Sequence, residues 1–448
     1  MRDGGRNRPG VERNEIKNGG GYLCGPSQLS YKISIIVTCR AEISSIIVYD
    51  SNKSLEGEDS MKSGKRYLRT ICAFLIAIGV LVGCDSKKTV SEDVRVDTSW
   101  YESSKTTFTL TKASQLMGLA ELSQKNDFKG KTIKLGADIS LNKVDSTTIR
   151  QWRSGMTTPS NVWTPLGNFE IPFAGKIDGQ GHAISGLYVN VSQEGTGFIG
   201  VAASSVELLN IRFVDGYIKN KSNYTGIIGF GLVKRIEDVY TNLIIETGAS
   251  YTGGFIGWYQ GGYTRLSKAE AENWGNSHMR INNCWFDGEI KSTSSDIGGC
   301  IGGQMLYAKV DITNFLATGR INITQQSYIA HTGGIFGHIQ YSAQYNFTNC
   351  ISTVNVNTNY TGSDNTVGAL IGGLNGEGLT ITNCYGIGEK VIGQIKDNVE
   401  LELSDDSLKT LEEIAKLDIS TALPKLEWEL ISPWRKKEGF VPVLRGMK

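Results

Sequence analysis

The chain alternates short apolar runs with glycine and asparagine, and it shows little apolar repetition at helical spacing. Residues 173–187 read Phe-Ala-Gly-Lys-Ile-Asp-Gly-Gln-Gly-His-Ala-Ile-Ser-Gly-Leu, so apolar positions alternate with turn glycines. This alternation is typical of short strands joined by tight corners. Similar strands are predicted earlier, at residues 108–110, 132–135 and 138–141. The pattern therefore predicts a chain built mainly of short β-strands.

A glycine motif with two central apolar residues recurs along the chain. Gly253-Gly254-Phe255-Ile256-Gly257 is one copy, and the closing glycines of the six copies are Gly200, Gly229, Gly257, Gly302, Gly337 and Gly372. A second motif follows each copy, centred on Asn210, Asn283, Asn314, Asn349 and Asn383, with Asp238 in the second repeat. Paired motifs at a period of this size indicate a solenoid. We therefore predict an all-β solenoid over residues 100–395.

Short helices are predicted at both ends of the repeats. Leucines and alanines recur at helical spacing over residues 112–124, with Thr111 as the predicted N-cap. A second helix is predicted from Asp405 or Asp406 to about Leu417, in a C-terminal capping segment of residues 396–448. These helices would cover strand edges that the first and last repeats leave bare. Residues 142–161, which include Trp152, are predicted to form a loop.

The repeated asparagines and cysteines have structural interpretations. Asparagine tolerates the left-handed conformation that a tight corner requires, and stacked amides bond to one another. We therefore expect the five repeated asparagines to form a ladder rather than a ligand site. Cys284, Cys350 and Cys384 each follow one of these asparagines. We expect them to fill the interior as small apolar residues, because their spacing matches no metal motif.

The first 99 residues carry a targeting pattern. Met61 opens a basic stretch and an apolar run from Ile71 to Val82, too short to span a bilayer. It ends in Leu81-Val82-Gly83-Cys84, which resembles the lipobox of bacterial lipoproteins, and this resemblance implies lipidation at Cys84. We interpret residues 1–60 as an over-extended start, 61–83 as the signal peptide and 84–99 as the lipidated cysteine and tether. The mature protein is then expected in the cell envelope, at the outer membrane or cell surface.

The glycine-rich stretches resemble a known family. Trp163-Thr164-Pro165-Leu166-Gly167, residues 173–187 and the six glycine repeats are similar to the GLUG-motif proteins, which are surface and secreted proteins abundant among Bacteroidetes lipoproteins. The resemblance covers about residues 100–395. It implies a single-stranded, right-handed parallel β-helix of the pectin-lyase-like type with adhesin-like roles, and it supplies no common catalytic motif.

One interval between closing glycines is longer than the others, because 45 residues separate Gly257 from Gly302. Irregularity of this kind usually marks a loop on one face of a solenoid. The extra residues include five candidates for contacts with a glycan: Trp258, Tyr259, Tyr263, Arg265 and Trp274. Aromatic rings offer apolar faces on which sugars stack. The alternative is that these rings hold the loop against the solenoid wall.

Charge and spacing exclude several functions. The formal net charge is +1, which gives no general attraction to nucleic acid. The four histidines show no metal-binding spacing, and no pair of acids is arranged as a hydrolase requires. We predict no catalytic residue, no metal and no cofactor.

The sequence favours a membrane-anchored adhesion or glycan-binding module, with a host or surface protein as another possible ligand. The alternatives are a polysaccharide lyase or hydrolase on a β-helix, and a structural partner in a glycan-uptake or surface complex.

Overall fold

The structure, a computed structural model, describes residues 94–231, 233–248, 250–260, 278–305, 309–324, 331–340, 344–358, 366–396, 407–410, 413, 426–429 and 441–444. All of them belong to one compact unit, Lys87–Lys448. Within these ranges the chain forms 32 strands and two helices, α1 (Ala113–Leu122) and α2 (Ser146–Ser154). The predicted signal peptide, Cys84 and most of the predicted C-terminal helix lie outside the described residues. The predicted start of that helix is wrong, because residues 407–410 are not α-helical and Leu408 instead forms a parallel bridge with Gly386.

Most of the strands are two to five residues long. Those that precede the first glycine motif are β1 (Thr107–Leu110), β2 (Thr132–Leu135), β3 (Ile139–Ser140), β4 (Lys176–Asp178), β5 (Ala183–Ser185) and β6 (Tyr188–Val191). The first repeats contain β7 (Ile199–Ala202), β8 (Glu207–Val214), β9 (Tyr217–Asn220), β10 (Ile228–Gly231), β11 (Arg235–Thr241), β12 (Ile244–Thr247), β13 (Thr252–Gly253) and β14 (Ile256–Gln260).

The later repeats continue the same succession. They contain β15 (His278–Phe286), β16 (Glu289–Ser292), β17 (Ile297–Gly298), β18 (Ile301–Met305), β19 (Lys309–Ala317), β20 (Arg320–Ile323), β21 (Thr332–Gly333) and β22 (Phe336–Ile339). After these come β23 (Gln344–Thr348), β24 (Ile351–Ser352), β25 (Asn355–Thr358), β26 (Val367–Gly368), β27 (Ile371–Leu374), β28 (Leu379–Thr382), β29 (Tyr385–Gly386) and β30 (Ile392–Ile395). Two further strands, β31 (Leu426–Glu429) and β32 (Val441–Leu444), pair antiparallel with each other.

Four parallel sheets run through the repeats. The largest has 13 strands along the path β1-β2-β4-β8-β11-β15-β19-β23-β28, and the second has seven in the order β7-β10-β14-β18-β22-β27-β30. The third has six, β6-β9-β12-β16-β20-β25, and the fourth has four, β13-β17-β21-β26. Successive strands along each of these sheet paths come from successive turns of the chain, so neighbouring strands are distant in sequence. The all-β, parallel arrangement fits a β-helix-like fold.

The glycine motifs stack in register and supply much of the core. Ile228 pairs with Ile199 and Ile256, and Ile256 pairs with Ile301. The residue before each of these strands is also fully buried in every repeat: Phe198, Ile227, Phe255, Cys300, Ile335 and Leu370. Apolar side chains of one repeat therefore lie on those of the next, which removes them from water.

Glycines also make room for the largest interior rings. The ring of Phe286 lies so close to four glycines that a Cβ on any of them would approach its ring carbons to between 2.4 and 3.2 Å: Gly254, Gly288, Gly299 and Gly319. Real Cβ atoms at most of these positions would force the ring to move. Part of the glycine content therefore serves core packing, in addition to the corners.

The repeated asparagines occupy left-handed corners. Asn210, Asn283, Asn314, Asn349 and Asn383 have φ between 50° and 54°, and Asp238 has a φ of 56° at the same place. Asn349 donates from Nδ2 to Oδ1 of Asn314 at 3.2 Å, and Asn383 donates to Asn349 at 3.3 Å. Asn314 instead donates to Asn282, one residue away from the expected partner. The side chains thus form a ladder with one step displaced.

Two local expectations differ from the structure. The N-cap of α1 is Lys112 rather than Thr111, whose backbone N–H bonds to Oε1 of Gln115. Residues 142–161 were expected to be a loop, yet α2 lies within them. Asp145 accepts hydrogen bonds from the backbone N–H groups of Thr147 and Thr148 and closes a capping box. This capping box is the sequence feature that indicates the start of α2.

Candidate functional site

The predicted glycan loop is described only at its first residues. Trp258 and Tyr259 lie in β14, and both are buried, with exposed fractions of 4% and 0%. Tyr259 is part of the apolar core, whereas Trp258 faces away from that core. Tyr263, Arg265 and Trp274 lie outside the described residues. For Trp258 and Tyr259 the geometry favours packing over an open contact with a ligand.

A row of residues outside the apolar core runs along the second sheet and the corners before it, and we call it the flanking stripe. One side consists of the residues that follow the closing glycines: Val201, Phe230, Trp258, Gly303, His338 and Gly373. The other side consists of the corner residues whose carbonyl oxygens accept hydrogen bonds from the preceding repeat: Tyr224, Tyr251, Asp296, His331 and Thr366. Side chains from one side lie against those of the other.

The first part of the stripe is aromatic, and together with the adjoining Phe169 we call it the aromatic half: Phe169, Tyr224, Phe230, Tyr251 and Trp258. The ring centroids of Phe169 and Phe230 are 4.9 Å apart, and those of Phe230 and Tyr224 are 5.0 Å apart. Tyr224 stacks on Tyr251 at 5.7 Å, and Tyr251 meets Trp258 edge-on at 3.9 Å. Phe169 is 38% exposed. The result is a continuous run of ring contacts outside the core, in which Phe169 is exposed and Trp258 is buried.

The second part of the stripe carries ionisable groups, and we call it the Asp–His half: Asp296, His331 and His338. Oδ1 of Asp296 lies 2.9 Å from Nδ1 of His331 and 3.2 Å from Nδ1 of His338. The two imidazoles stack with centroids 3.7 Å apart and planes 28° apart. Potential ligand atoms of all three residues lie within 4.8 Å of one another. No other group of three or more metal-ligating side chains is found in the described ranges.

The environment changes the pKa values of two groups in the stripe. Burial raises the pKa of Asp296, but its contacts with His331 and His338 outweigh burial, and the net pKa lies below its usual range. Burial, the charge of Asp296 and neighbouring Tyr224 together raise the pKa of Tyr251 to about 12. Asp296 is therefore held ionised at neutral pH, next to the last phenol of the aromatic half.

Two glycines allow the two sides of the stripe to meet. A Cβ at Gly303 would lie 2.7 Å from Cδ1 of Tyr251 and 3.1 Å from Cζ3 of Trp258. A Cβ at Gly373 would lie 2.3 Å from Cδ2 of His331. Tyr251 and His331 therefore each lie over a glycine of the next repeat. Gly303 marks the place where the aromatic half gives way to the Asp–His half.

A second polar cluster lies where α2 covers the third sheet. Trp152 contacts Tyr188 edge-on, and Arg153 bonds Glu246 at 2.9 Å and both carboxylate oxygens of Glu289 at 2.9 and 3.1 Å. Although two carboxylates meet here, the same guanidinium neutralises both. The cluster attaches α2 to the sheet and presents no free acid.

Other residues with reactive groups are occupied by structural contacts. Asp178 accepts hydrogen bonds from Asn210 and from the backbone N–H of Gln180, and Asp287 accepts one from Thr318. The thiols of Cys284, Cys350 and Cys384 are buried and free. Burial raises the pKa of Cys284 and Cys350, so these thiols are poor nucleophiles. These positions do not form a catalytic site.

Sequence reasoning missed the flanking stripe as a whole. His331 and His338 are seven positions apart, a spacing that matches no metal motif, yet the corner between them brings their rings together. Asp296 joins them from the preceding repeat. The signal in the sequence was positional, because the stripe consists of the residues that border each glycine motif. An alignment of the six motifs that included these borders would have shown it.

Comparison with known proteins gives information about the fold. No family model matches the chain, and no curated protein matches it. A solved structure from Bacteroides ovatus, described as a "putative immunoglobulin A1 protease", matches with a TM-score of 0.53 at 21% identity. The match covers 77% of this chain and 93% of the other. At this identity the likeness shows a shared fold with a protein from Bacteroides. No helix in the described ranges is long and apolar enough to span a bilayer.

Proposed function

We propose that this chain is a membrane-anchored surface lipoprotein whose aromatic half binds glycans without cleaving them. The observation that carries the proposal is the continuous run of ring contacts from the exposed Phe169 to the buried Trp258. Core packing does not account for these rings, because the interior is filled by other side chains. Sugar rings stack on aromatic faces, and tyrosine adds a polar group for hydrogen bonding.

The exposure of the rings supports a contact surface. Phe169 is exposed, while Tyr224, Phe230 and Tyr251 are half-buried. Such rings are held by their neighbours, so binding would cost little conformational entropy. Trp258 lies beneath Tyr224 and Tyr251 and supports them. The proposal therefore places the glycan contact on Phe169, Tyr224, Phe230 and Tyr251, and assigns Trp258 a supporting role.

The anchor and scaffold complete the proposal. The lipobox ending at Cys84 would attach the chain to the membrane through acyl chains, and several chains give stable attachment. The scaffold would be a right-handed solenoid of the GLUG type. The parallel sheets and the fold shared with a Bacteroides protein support this reading. A surface protein of a host is the other ligand class that this arrangement would suit.

A glycan and mucin array tests the proposal. The full-length chain, purified in detergent, is compared with Phe230→Ala and with Tyr240→Ala as a matched control. Tyr240 is another half-buried outward-facing aromatic, on the largest sheet, where it contacts Trp285. We expect retention by the wild type and by Tyr240→Ala, and at least a tenfold loss for Phe230→Ala.

The same array separates the alternatives. New reducing or unsaturated ends on retained glycans would replace the proposal with a lyase or hydrolase. Equal loss in Phe230→Ala and Tyr240→Ala would move the contact away from the aromatic half. No retention by the wild type would overturn glycan binding and leave a structural partner in a surface complex.

A further inference from the structure

The Asp–His half has the geometry of a metal site. Asp296 and His338 are buried, with exposed fractions of 5% and 6%, and both imidazoles turn Nδ1 toward the same carboxylate oxygen. Tetrahedral ligands about 2.0 Å from a zinc-type ion lie about 3.3 Å from one another. The separations of 2.9 and 3.2 Å between Asp296 and the two Nδ1 atoms are close to that value. A small shift would admit an ion.

The neighbouring amides are compatible with lone pairs facing that space. Nε2 of His331 lies 3.1 Å from the amide oxygen of Gln394, an acceptor, which matches the neutral tautomer with the proton on Nε2 and a lone pair on Nδ1. The amide nitrogen of Gln340 lies 3.1 Å from Nδ1 of His338 and can donate to a lone pair there. In these tautomers three acceptor atoms converge, one from each residue, whereas protons on Nδ1 make both imidazoles donate to Oδ1 of Asp296.

A further buried polar atom remains unsatisfied. Nε2 of His338 is buried and has no hydrogen-bond partner among the described residues. Buried polar groups without partners are uncommon and require an explanation. In a metal-bound site, imidazoles are oriented by an acceptor on the far nitrogen, as Gln394 provides for His331. The described residues provide no such acceptor for Nε2 of His338, so in this cluster only His331 has its far nitrogen oriented in that way.

We propose that Asp296, His331 and His338 bind one divalent transition-metal ion of the zinc class. Two imidazole nitrogens favour such an ion over Ca²⁺ or Mg²⁺, which prefer oxygen ligands. Three protein ligands leave the fourth tetrahedral position for water. Gly373 leaves the space that the ring of His331 occupies beside the site. Turning both amides over would instead give a metal-free hydrogen-bond network, and the experiment separates the two arrangements.

The test is calorimetric titration of Zn²⁺ into the untagged full-length chain after chelation, together with the visible spectrum after Co²⁺ addition. We expect one site that is lost in His338→Ala and Asp296→Asn, with the four-coordinate Co²⁺ absorption lost in the same variants. His278→Ala is the matched control, because His278 also bonds a single aspartate, Asp311, on another sheet. Its titration should equal that of the wild type.

A variant at an exposed residue distinguishes loss of the ion site from misfolding. The side chain of Gln394 is exposed, so Gln394→Ala should fold, and losing its contact with His331 should weaken Zn²⁺ binding about tenfold. Absence of Zn²⁺ binding by the wild type would overturn the proposal in favour of the metal-free network. Binding unchanged in Gln394→Ala and His338→Ala, or reduced equally in His278→Ala, would also overturn it. Ca²⁺ binding in preference to Zn²⁺ would reject the assigned class of ion.

Discussion

The aromatic half and the Asp–His half of the flanking stripe share one backbone and differ in chemistry. Phe230, Trp258, Gly303 and His338 occupy the same position in successive repeats, directly after a closing glycine. At the first two the side chain is an aromatic ring in contact with tyrosines. At the last it is an imidazole beside a buried carboxylate. The side chain at this one repeated position therefore distinguishes the aromatic half from the Asp–His half.

The comparison shows that core positions and stripe positions of a repeat differ in which side chains they accept. The inner positions keep apolar side chains through all six motifs, because each must fill the space left by its neighbours. The stripe positions range from valine to tryptophan, glycine and histidine without any loss of strand register. Chemistry can therefore vary along the stripe while the fold is held by the interior.

The largest expected effect comes from breaking the interior that both halves share. Phe286→Ala should lower the free energy of unfolding by about 3–5 kcal/mol, because it leaves a cavity where the ring packs against four glycines. Chemical denaturation measures the loss, and Phe286→Leu should cost clearly less. A loss below about 1 kcal/mol for Phe286→Ala would contradict this account of the core.

Breaking the asparagine ladder should have the next largest effect. Asn349→Ala removes hydrogen bonds to Asn314 and Asn383 and places alanine at a φ of 53°. The expected loss is about 2–3 kcal/mol, the sum of lost bonds and left-handed strain. Asn349→Gly loses the bonds alone, so it should cost about 1 kcal/mol less. Equal losses in the two variants would show that the corner imposes no strain.

Substitution of the two stripe glycines should separate the halves. Gly373→Ala displaces His331 and should weaken Zn²⁺ binding about tenfold while glycan retention persists. Gly303→Ala displaces Tyr251 and Trp258 and should weaken glycan retention, with Zn²⁺ binding closer to that of the wild type. Calorimetry and the array measure the two outcomes. If each variant weakened Zn²⁺ binding and glycan retention equally, the two halves would form one site.

A pH effect outside the stripe should be the smallest. Burial raises the pKa of Glu207, but its hydrogen bonds from Lys234 and Arg235 outweigh burial and hold the pKa below its usual range. The stabilisation is therefore present at neutral pH and is lost as pH falls below about 4.3 through the folded pKa. Glu207→Gln should cost less than about 1 kcal/mol at pH 7, and the cost should be smaller at pH 3. Denaturation at both pH values checks this, and a constant difference would contradict it.

Much of the scaffold could be predicted from the sequence because the repeats carry local signals. Glycine and asparagine are favoured where the backbone takes a left-handed conformation, so their positions in the sequence indicate the corners. The helix α2 was missed because its residues lack an extended apolar face and its signal is the capping box at Asp145. Apolar periodicity, on which the prediction relied, does not report such a cap.

The candidate site could not be predicted in the same way. Asp296 and His331 become neighbours only through strand pairing between repeats, and unequal repeat lengths hide that alignment in the sequence. Trp258 and Tyr259 were grouped as loop residues, although they point to opposite sides of β14. Which side of a strand a residue faces depends on register, and the alternation of period two places neighbours on opposite faces.

A crystal structure of the full chain grown with Zn²⁺, with anomalous data at the zinc edge, tests the central claim of two chemistries on one repeated position. We expect Phe230, Trp258, Gly303 and His338 on neighbouring strands of the second sheet, and one anomalous peak bonded to Asp296, His331 and His338. Placement of these residues in different registers, or a peak absent from this cluster, would contradict it.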